Sequence, residues 1–276
     1  LKVKGIAVLD NDKNLRFSGY GQSLPGCEMS FPSFEYLKTG LLGNNKMWQN
    51  YFRPFDQHEE FVLDDRAFEK WRKPMAVSIL LSKGCVAKCT FCQRGSKGYN
   101  VYDLDKLDSH LKNLRDNCNV GFVCVDDENF GSNKKYSYQV AELLNKYNML
   151  WSSNGVRCTS VEKKDLIHYQ KNGCISLKFG IESGSQTMLD VMEKKFTTED
   201  IKKAIFGCAE IGLHTTLLGF MIAMPGETEQ TIKESAELAG ELYAKVKVPP
   251  KYIWGHNDIP YAMPLVGTPL YEYGKQ

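Results

Sequence analysis

The sequence predicts an α/β fold in which parallel strands alternate with helices. Three observations predict it. From Met75 onward, short apolar runs alternate with stripes of helical period. The steps lie about 25 to 45 residues apart, the spacing of strand–helix–strand crossovers rather than hairpins. The chain has 276 residues, 42% hydrophobic and 25% charged, enough to bury one barrel-sized core. Six steps fit an open partial barrel or a doubly wound sheet, whereas a closed barrel takes eight.

In chain order, Lys4 to Leu9 and Leu15 to Ser18 read as two strands joined by Asn11-Asp12-Lys13-Asn14, a hairpin with Asx-type turn chemistry. From Gly21 to Arg72 no period persists, and Gly, Pro and aromatic residues recur, as in Phe31-Pro32-Ser33-Phe34 and Phe52-Arg53-Pro54-Phe55. Residues 1–74 are therefore expected to be a linker that wraps the core, and 75–276 the core itself. Ala76–Leu81 is the first strand of that core. Leu104, Leu107, Leu111, Leu114 and Cys118 form one helical stripe. Val120–Val125 is the second strand, followed by a helix through Tyr136, Val140, Leu143, Leu144 and Tyr147. Met149–Ser152 is the third, with a helix over Val161–Asn172 stopped at Gly173. Cys174–Ile181 is the fourth. A short helix near Gln186–Glu193 comes next, then one entered at Thr197, where Asp200 completes a capping-box arrangement. Thr215–Met224 is the fifth strand, Glu227–Ala244 its helix, and Lys251–Gly255 a weaker sixth strand.

The formal charge of +2 gives no case for nucleic acid or an anionic membrane as the main partner. No apolar run reaches the length of a spanning helix, and the N-terminus lacks the layout of a signal peptide, so a cytoplasmic location is expected. The chain opens on Leu1 and closes on Tyr273-Gly274-Lys275-Gln276, and is expected to be a piece of a longer protein. Nine cysteines without a secretory signal argue against a disulfide framework. Cys27, Cys118, Cys124, Cys158, Cys174 and Cys208 are scattered in mostly apolar surroundings, as buried free thiols are.

Cys85, Cys89 and Cys92 differ. They fall within eight residues, spaced C-x3-C-x2-C, in the first strand-to-helix loop. Active sites of parallel α/β folds lie at that end of the sheet. Zinc sites commonly use C-x2-C pairs, so a zinc knuckle with a distant fourth ligand fits this spacing poorly. Iron–sulfur clusters usually take four thiolates, and three leave one iron open to an exogenous ligand.

The segment Cys85-Val86-Ala87-Lys88-Cys89-Thr90-Phe91-Cys92 resembles the C-x3-C-x-aromatic-C motif of the radical S-adenosylmethionine (SAM) superfamily. The resemblance implies a partial (β/α)6 TIM-like barrel and a 4Fe–4S cluster on Cys85, Cys89 and Cys92. It implies that the open iron chelates S-adenosylmethionine, and that one electron breaks the sulfonium bond to give a 5′-deoxyadenosyl radical that abstracts a substrate hydrogen. Phe91 takes the aromatic position, which in the family lies against the adenine.

Later motifs follow the strands in the family's order. Asp127-Glu128-Asn129-Phe130 resembles the acidic run that receives the amino group of S-adenosylmethionine, with Asp127 and Glu128 as its carboxylates. The same residues would also serve as a solvated turn. Asn154 and Arg157, after the third strand, would face the cofactor's carboxylate or the substrate. Gly180-Ile181-Glu182-Ser183-Gly184-Ser185 resembles the segment that offers polar groups to the ribose or methionyl part, which points to Glu182 and Ser183. Glu227, in Pro225-Gly226-Glu227-Thr228, reads as an acid favoured by a helix N-terminus. Pro264-Leu265-Val266-Gly267-Thr268-Pro269-Leu270-Tyr271 resembles the closing segment, with Val266 where the family has Pro. His256 is the histidine expected nearest the substrate mouth.

Lys4-Gly5-Ile6-Ala7-Val8 and Phe31-Pro32-Ser33-Phe34 resemble the linker of the cobalamin-associated branch, which implies cobalamin held by a domain upstream of Leu1. The expected activity is radical chemistry on a small-molecule substrate, with methyl transfer foremost and a low-potential flavodoxin or ferredoxin as electron donor. The competing expectations are a methylthiotransferase acting on transfer RNA and a non-catalytic iron–sulfur or zinc module.

Overall fold

A computed structural model describes residues 6–19, 26–34, 37, 46–58, 60–93, 98–215, 218–246 and 259–276. It opens on a hairpin of β1 (Ala7–Leu9) and β2 (Leu15–Phe17), paired antiparallel. Its turn is closed by the Asp10 carboxylate, which accepts from the backbone of Asp12 and Asn14 and from Arg16 Nε. Helix α1 (Lys46–Tyr51) leads into β3 (Arg53–Pro54). The main sheet then builds through β4 (Met75–Ile79), β7 (Val120–Val125), β8 (Leu150–Val156), β9 (Cys174–Glu182) and β10 (Leu218–Phe220). Between β4 and β7, a clasp of β5 (Ser82–Lys83) and β6 (Asn100–Val101) encloses the cysteine loop.

The sheet order is β10-β9-β8-β7-β4-β3. From β4 to β10 each strand lies beside its predecessor, parallel to it, so the order never reverses. A doubly wound sheet reverses at a switch point; this one advances in one direction, as a curling half-barrel does. The crossover helices are α2 (Leu104–Cys118), α3 (Lys134–Lys146), α4 (Lys163–Lys171), the short α5 (Gln186–Val191) with α6 (Thr198–Ile211), and α7 (Glu229–Lys245). Helix α8 (Pro269–Tyr273) ends the described chain. The sheet's antiparallel edge comes from Arg53–Pro54, inside the segment whose sequence shows no period. The expected sixth strand, Lys251–Gly255, lies outside the described residues, as does His256. Just after it, Tyr261 forms a parallel bridge to Ile222, and Ala262 N donates to Ile222 O at 2.7 Å.

Helix ends follow local chemistry. The Asp103 carboxylate accepts from Asp105 N and Lys106 N, and Asn119, at φ 58°, closes α2. Thr197 and Asp200 form the expected capping box of α6. Leu107, Leu111 and Leu114 of α2 are fully buried in the core between helices and sheet.

A second apolar cluster fills the inner face of the sheet. Ala76, Phe122, Leu150 and Ile175 meet Phe61 and Ala67, with Phe55 packed against them. Phe55 stacks on Phe122 at 4.6 Å, and Phe61 meets the same ring edge-on at 4.9 Å. The segment before β4 thus plugs the lower half of the barrel, and burying Phe61 completely contributes about 2–3 kcal/mol. No helix among the described residues is long and apolar enough to cross a membrane.

Candidate active site

The cysteine loop is fixed from both sides. On the sheet side, Asp127 follows β7 with its side chain almost fully buried. Its Oδ1 accepts from Leu81 N (2.7 Å) and Ser82 N (3.0 Å), and its Oδ2 from Ser82 Oγ (2.6 Å). Burial raises its pKa, while these donors lower it. The chain then turns through Gly84, at φ 85°, into Cys85. On the far side, Thr90 N donates to Met192 O and Thr90 Oγ1 to Val191 O. Leu270 N donates to Thr90 O, and Gln93 Nε2 to Val266 O, so the closing segment around α8 docks directly on the loop.

The loop's thiols open into a cleft lined by Cys85, Cys89, Cys92, Phe91, Glu128, Arg157, Glu182 and Lys194, with Gly155 and Gly180 in its wall. Hydrogen-bond donors point at the sulfurs. Ala87 N and Asn129 Nδ2 each lie 3.4 Å from Cys85 Sγ, and Arg157 Nη1 lies 3.8 Å from Cys89 Sγ. Burial first, then the neighbouring Cys89 and Cys85, raises the Cys92 thiol pKa. Among the described residues, the one trio of His, Cys, Asp or Glu donors within 4.8 Å of one another is His58, Glu60 and Cys124. The three loop thiols therefore stand wider apart than ligands sharing a single tetrahedral zinc at ≈ 2.3 Å would. Convergent but spread thiols, with N–H donors and two cations beside them, fit a polynuclear cluster.

Glu182 ends β9 with φ 70°, where the pairing to β10 slips by one residue. A bulky residue in the left-handed region is costly and marks a site held by its surroundings. Here the hold is Lys194 Nζ, 3.1 Å from Glu182 Oε1. Lys194 is itself buried, and lies 5.2 Å from the centre of the Phe196 ring. Arg157 Nη2 donates to Lys194 O, so the cation beside Cys89 and the cation on Glu182 form one unit. Gly155, at φ 65°, lets β8 approach the Asp127 turn, since a Cβ there would sit 2.3 Å from Asp127 O.

The cleft brings together seven residues singled out from sequence: Cys85, Cys89, Cys92, Phe91, Glu128, Arg157 and Glu182. Phe91 also packs against the cluster of Met188, Met192, Met221, Met224 and Leu270. Three others lie outside the lining. Asp127 is occupied by the loop backbone. Ser183 is buried and shares a 3.0 Å hydrogen bond with Ser235 Oγ. Asn154 Nδ2 donates to the Asp126 carboxylate, while its Oδ1 is buried without a partner. Glu227 accepts from Ala223 N at 2.6 Å and does not line the cleft. Sequence reasoning missed Lys194 and Asn129. The run Glu193-Lys194-Lys195 between apolar Met192 and Phe196 is the signal that could have flagged the lysine. Cys118, Cys124, Cys158, Cys174 and Cys208 are free and buried, as expected.

Residues 79–239 match the model of the radical SAM superfamily. Among curated proteins, the chain is 29% identical over 191 residues to the anaerobic magnesium-protoporphyrin IX monomethyl ester cyclase of Rubrivivax gelatinosus, covering 64% of this chain and 34% of that protein. It is 24% identical over 205 residues to an uncharacterized methyltransferase of Pyrococcus horikoshii, covering 71% of this chain and 41% of that one. The chain thus spans well under half the length of these relatives. Among solved structures, its fold is similar to the cobalamin-dependent S-adenosylmethionine radical enzyme OxsB, at TM-score 0.67 and 16% identity, over 99% of this chain and 41% of that one. It is also similar to the radical S-adenosylmethionine methyltransferase TsrM of Kitasatospora setae, at TM-score 0.54 and 18% identity, over 60% and 34%.

Proposed function

The chain belongs to the radical SAM superfamily, and from that premise we propose that it is the catalytic barrel of a cobalamin-associated enzyme that methylates a small molecule. The observation that carries the radical chemistry is the cleft in which Cys85, Cys89 and Cys92 face the Glu182–Lys194 pair at the carboxyl ends of the strands. When bound on Cys85, Cys89 and Cys92, a 4Fe–4S cluster would supply the one-electron reduction of S-adenosylmethionine that yields a 5′-deoxyadenosyl radical. This chain's residues do the rest. The three cysteines hold the cluster, with Asn129 and the Ala87 amide donating to Cys85. Arg157 places a positive charge beside Cys89. Glu128 and Glu182 offer carboxylates to the ammonium and hydroxyl groups of S-adenosylmethionine, and Phe91 offers an apolar face to its adenine. Asp127 and Ser183 act as positioning residues, one holding the cysteine loop and the other the β9 end. Asn154, outside the cleft lining, acts as a positioning residue through its hydrogen bond to the Asp126 carboxylate.

Support for the cobalamin-associated branch is the likeness of fold to OxsB, which extends over the N-terminal segment as well as the barrel. In this reading residues 1–74 link the barrel to a cobalamin-binding domain, and a low-potential flavodoxin or ferredoxin delivers the electron. The cyclase relatives favour a second outcome, ring formation by radical oxidation of the substrate. Reduced, reconstituted enzyme is therefore given S-adenosylmethionine labelled in its methyl group, with and without cobalamin. The proposal predicts 5′-deoxyadenosine release in both cases, and label in a substrate product only with cobalamin and its binding domain. Label in no product, together with a substrate that loses hydrogen, would favour the cyclase-like outcome.

A further inference from the structure

Above the aromatic plug, the inner wall of the barrel changes character. Cys124 of β7 pairs in register with Ser78 of β4 and Ser152 of β8, and Ser152 with Ser176 of β9. Four small hydroxyl or thiol side chains thus form one rung across four strands. The rung beneath it is apolar and bulky, through Phe122 and Leu150. Such short side chains leave room over the strands, and the plug segment places His58 and Glu60 there. His58 Nδ1 and Glu60 Oε1 each lie 3.9 Å from Cys124 Sγ. The three donor atoms lie within 4.8 Å of one another. Glu60 and Cys124 are 8% and 6% exposed, and the second ring nitrogen of His58 is buried without a partner.

We propose that His58, Glu60 and Cys124 bind a zinc-class divalent cation inside the barrel, at a site distinct from the cysteine triplet. An imidazole, a carboxylate and a thiolate make a borderline-soft donor set that suits zinc. A tetrahedral ion at about 2.0–2.3 Å from each donor needs donor separations of roughly 3.3–3.8 Å. The two 3.9 Å contacts to Cys124 need only a few tenths of an ångström of contraction, and the His58–Glu60 separation, within 4.8 Å, closes by rotation of the two side chains. Three protein ligands leave a fourth position for water or for a donor atom of the substrate.

On binding, the Cys124 S–H bond is replaced by a sulfur–metal bond and its proton passes to solvent; no electron is transferred. Lys178 Nζ and Ser152 Oγ, each 3.2 Å from Glu60 Oε1, mark the metal-free balance. Lys178 neutralises Glu60 there, and the ion takes over that role. The competing reading is a self-sufficient polar plug, closed by the Glu60–Lys178 pair, with no affinity for metal.

The test uses the whole chain carrying Cys85→Ala, Cys89→Ala and Cys92→Ala, so that the triplet takes neither iron nor zinc. Dialysis against zinc is expected to leave about one equivalent bound, and cobalt to give a thiolate-to-metal charge-transfer band. Adding Cys124→Ser or Glu60→Gln is expected to weaken zinc at least about a hundredfold, beyond the usual loss for an outer-shell partner. Zinc is expected to raise the Tm of the parent and leave that of Cys124→Ser unmoved. Matching circular dichroism and metal-free Tm values would establish that the near-isosteric Cys124→Ser folds. No bound zinc in the parent, or a zinc affinity in either variant equal to that of the parent, would overturn the site. Cluster assembly and S-adenosylmethionine cleavage are measured on the chain with its triplet intact, so failure here leaves the radical SAM reading standing.

Discussion

Glu182 concentrates the cost of the site. It occupies a left-handed backbone conformation and depends on a buried lysine for its charge balance. Lys194→Met removes that balance and is expected to cost about 2–4 kcal/mol in a denaturant titration, because a partly buried carboxylate is left unpaired. Asp127 separates positioning from contact. Asp127→Ala leaves the N–H groups of Leu81 and Ser82 without an acceptor, so a loss of about 2–4 kcal/mol and a lower cluster content are expected. Asp127→Asn keeps an Oδ1 for both donors and is expected to stay within about 1 kcal/mol of the parent with its cluster retained. If Asp127→Asn loses cofactor binding as Asp127→Ala does, the carboxylate charge is needed and the positioning role fails. The cysteines were legible because their spacing is local. Lys194 and Asn129 were not, because their partners lie 12 and 44 residues away and the pairing exists only once the barrel has curled.

Elements with a regular period were read closely, although the third strand, expected over Met149–Ser152, runs Leu150–Val156 and so contains Asn154. Leu104–Cys118 and Val120–Val125 match their expected bounds. Among the described residues the fifth strand ends at Phe220 rather than at Met224, because the ladder slips at Gly219/Phe220 and Ala223 turns to φ 69°. The plug was illegible for another reason. Its aromatic residues follow neither period, and their value comes from a distant strand. Phe61→Ala is expected to cost about 3–5 kcal/mol, as for other fully buried aromatic rings. Helix α2 meets the N-terminal segment at His110, which stacks on Phe31 at 4.3 Å. Burial lowers the His110 pKa to about 4. The unfolded chain therefore binds the proton first as pH falls below 6.5, and stability is lost between about pH 6.5 and 4. At 1.36 kcal/mol per unit the loss approaches roughly 3 kcal/mol. Denaturation midpoints across that range should fall less steeply in His110→Phe; an unchanged slope would place the titration elsewhere.

Across the whole molecule, order is expected to be graded. The central strands β7, β8 and β9 are buried on both faces, whereas all six residues of the β1–β2 hairpin are exposed. Amide exchange should be slowest in β7 and β8 and fastest in the hairpin, since local opening requires little buried surface there. Slow hairpin exchange would mean that another surface covers it. The barrel's direction of winding was open in the sequence, because strand–helix alternation alone fits two topologies. The unreversed strand order resolves it, and sets every cleft-lining loop on one end of the sheet.

The most direct measurement is the iron and sulfide content of anaerobically reconstituted chain, compared among the parent, Cys89→Ala and Cys118→Ala. Three loop thiolates holding one cubane predict about four irons and four sulfides in the parent, with 5′-deoxyadenosine released on reduction. They predict loss of both in Cys89→Ala, and full retention in Cys118→Ala, whose thiol is buried against helix and sheet. An emptied site in Cys118→Ala, or a full one in Cys89→Ala, would contradict the assignment.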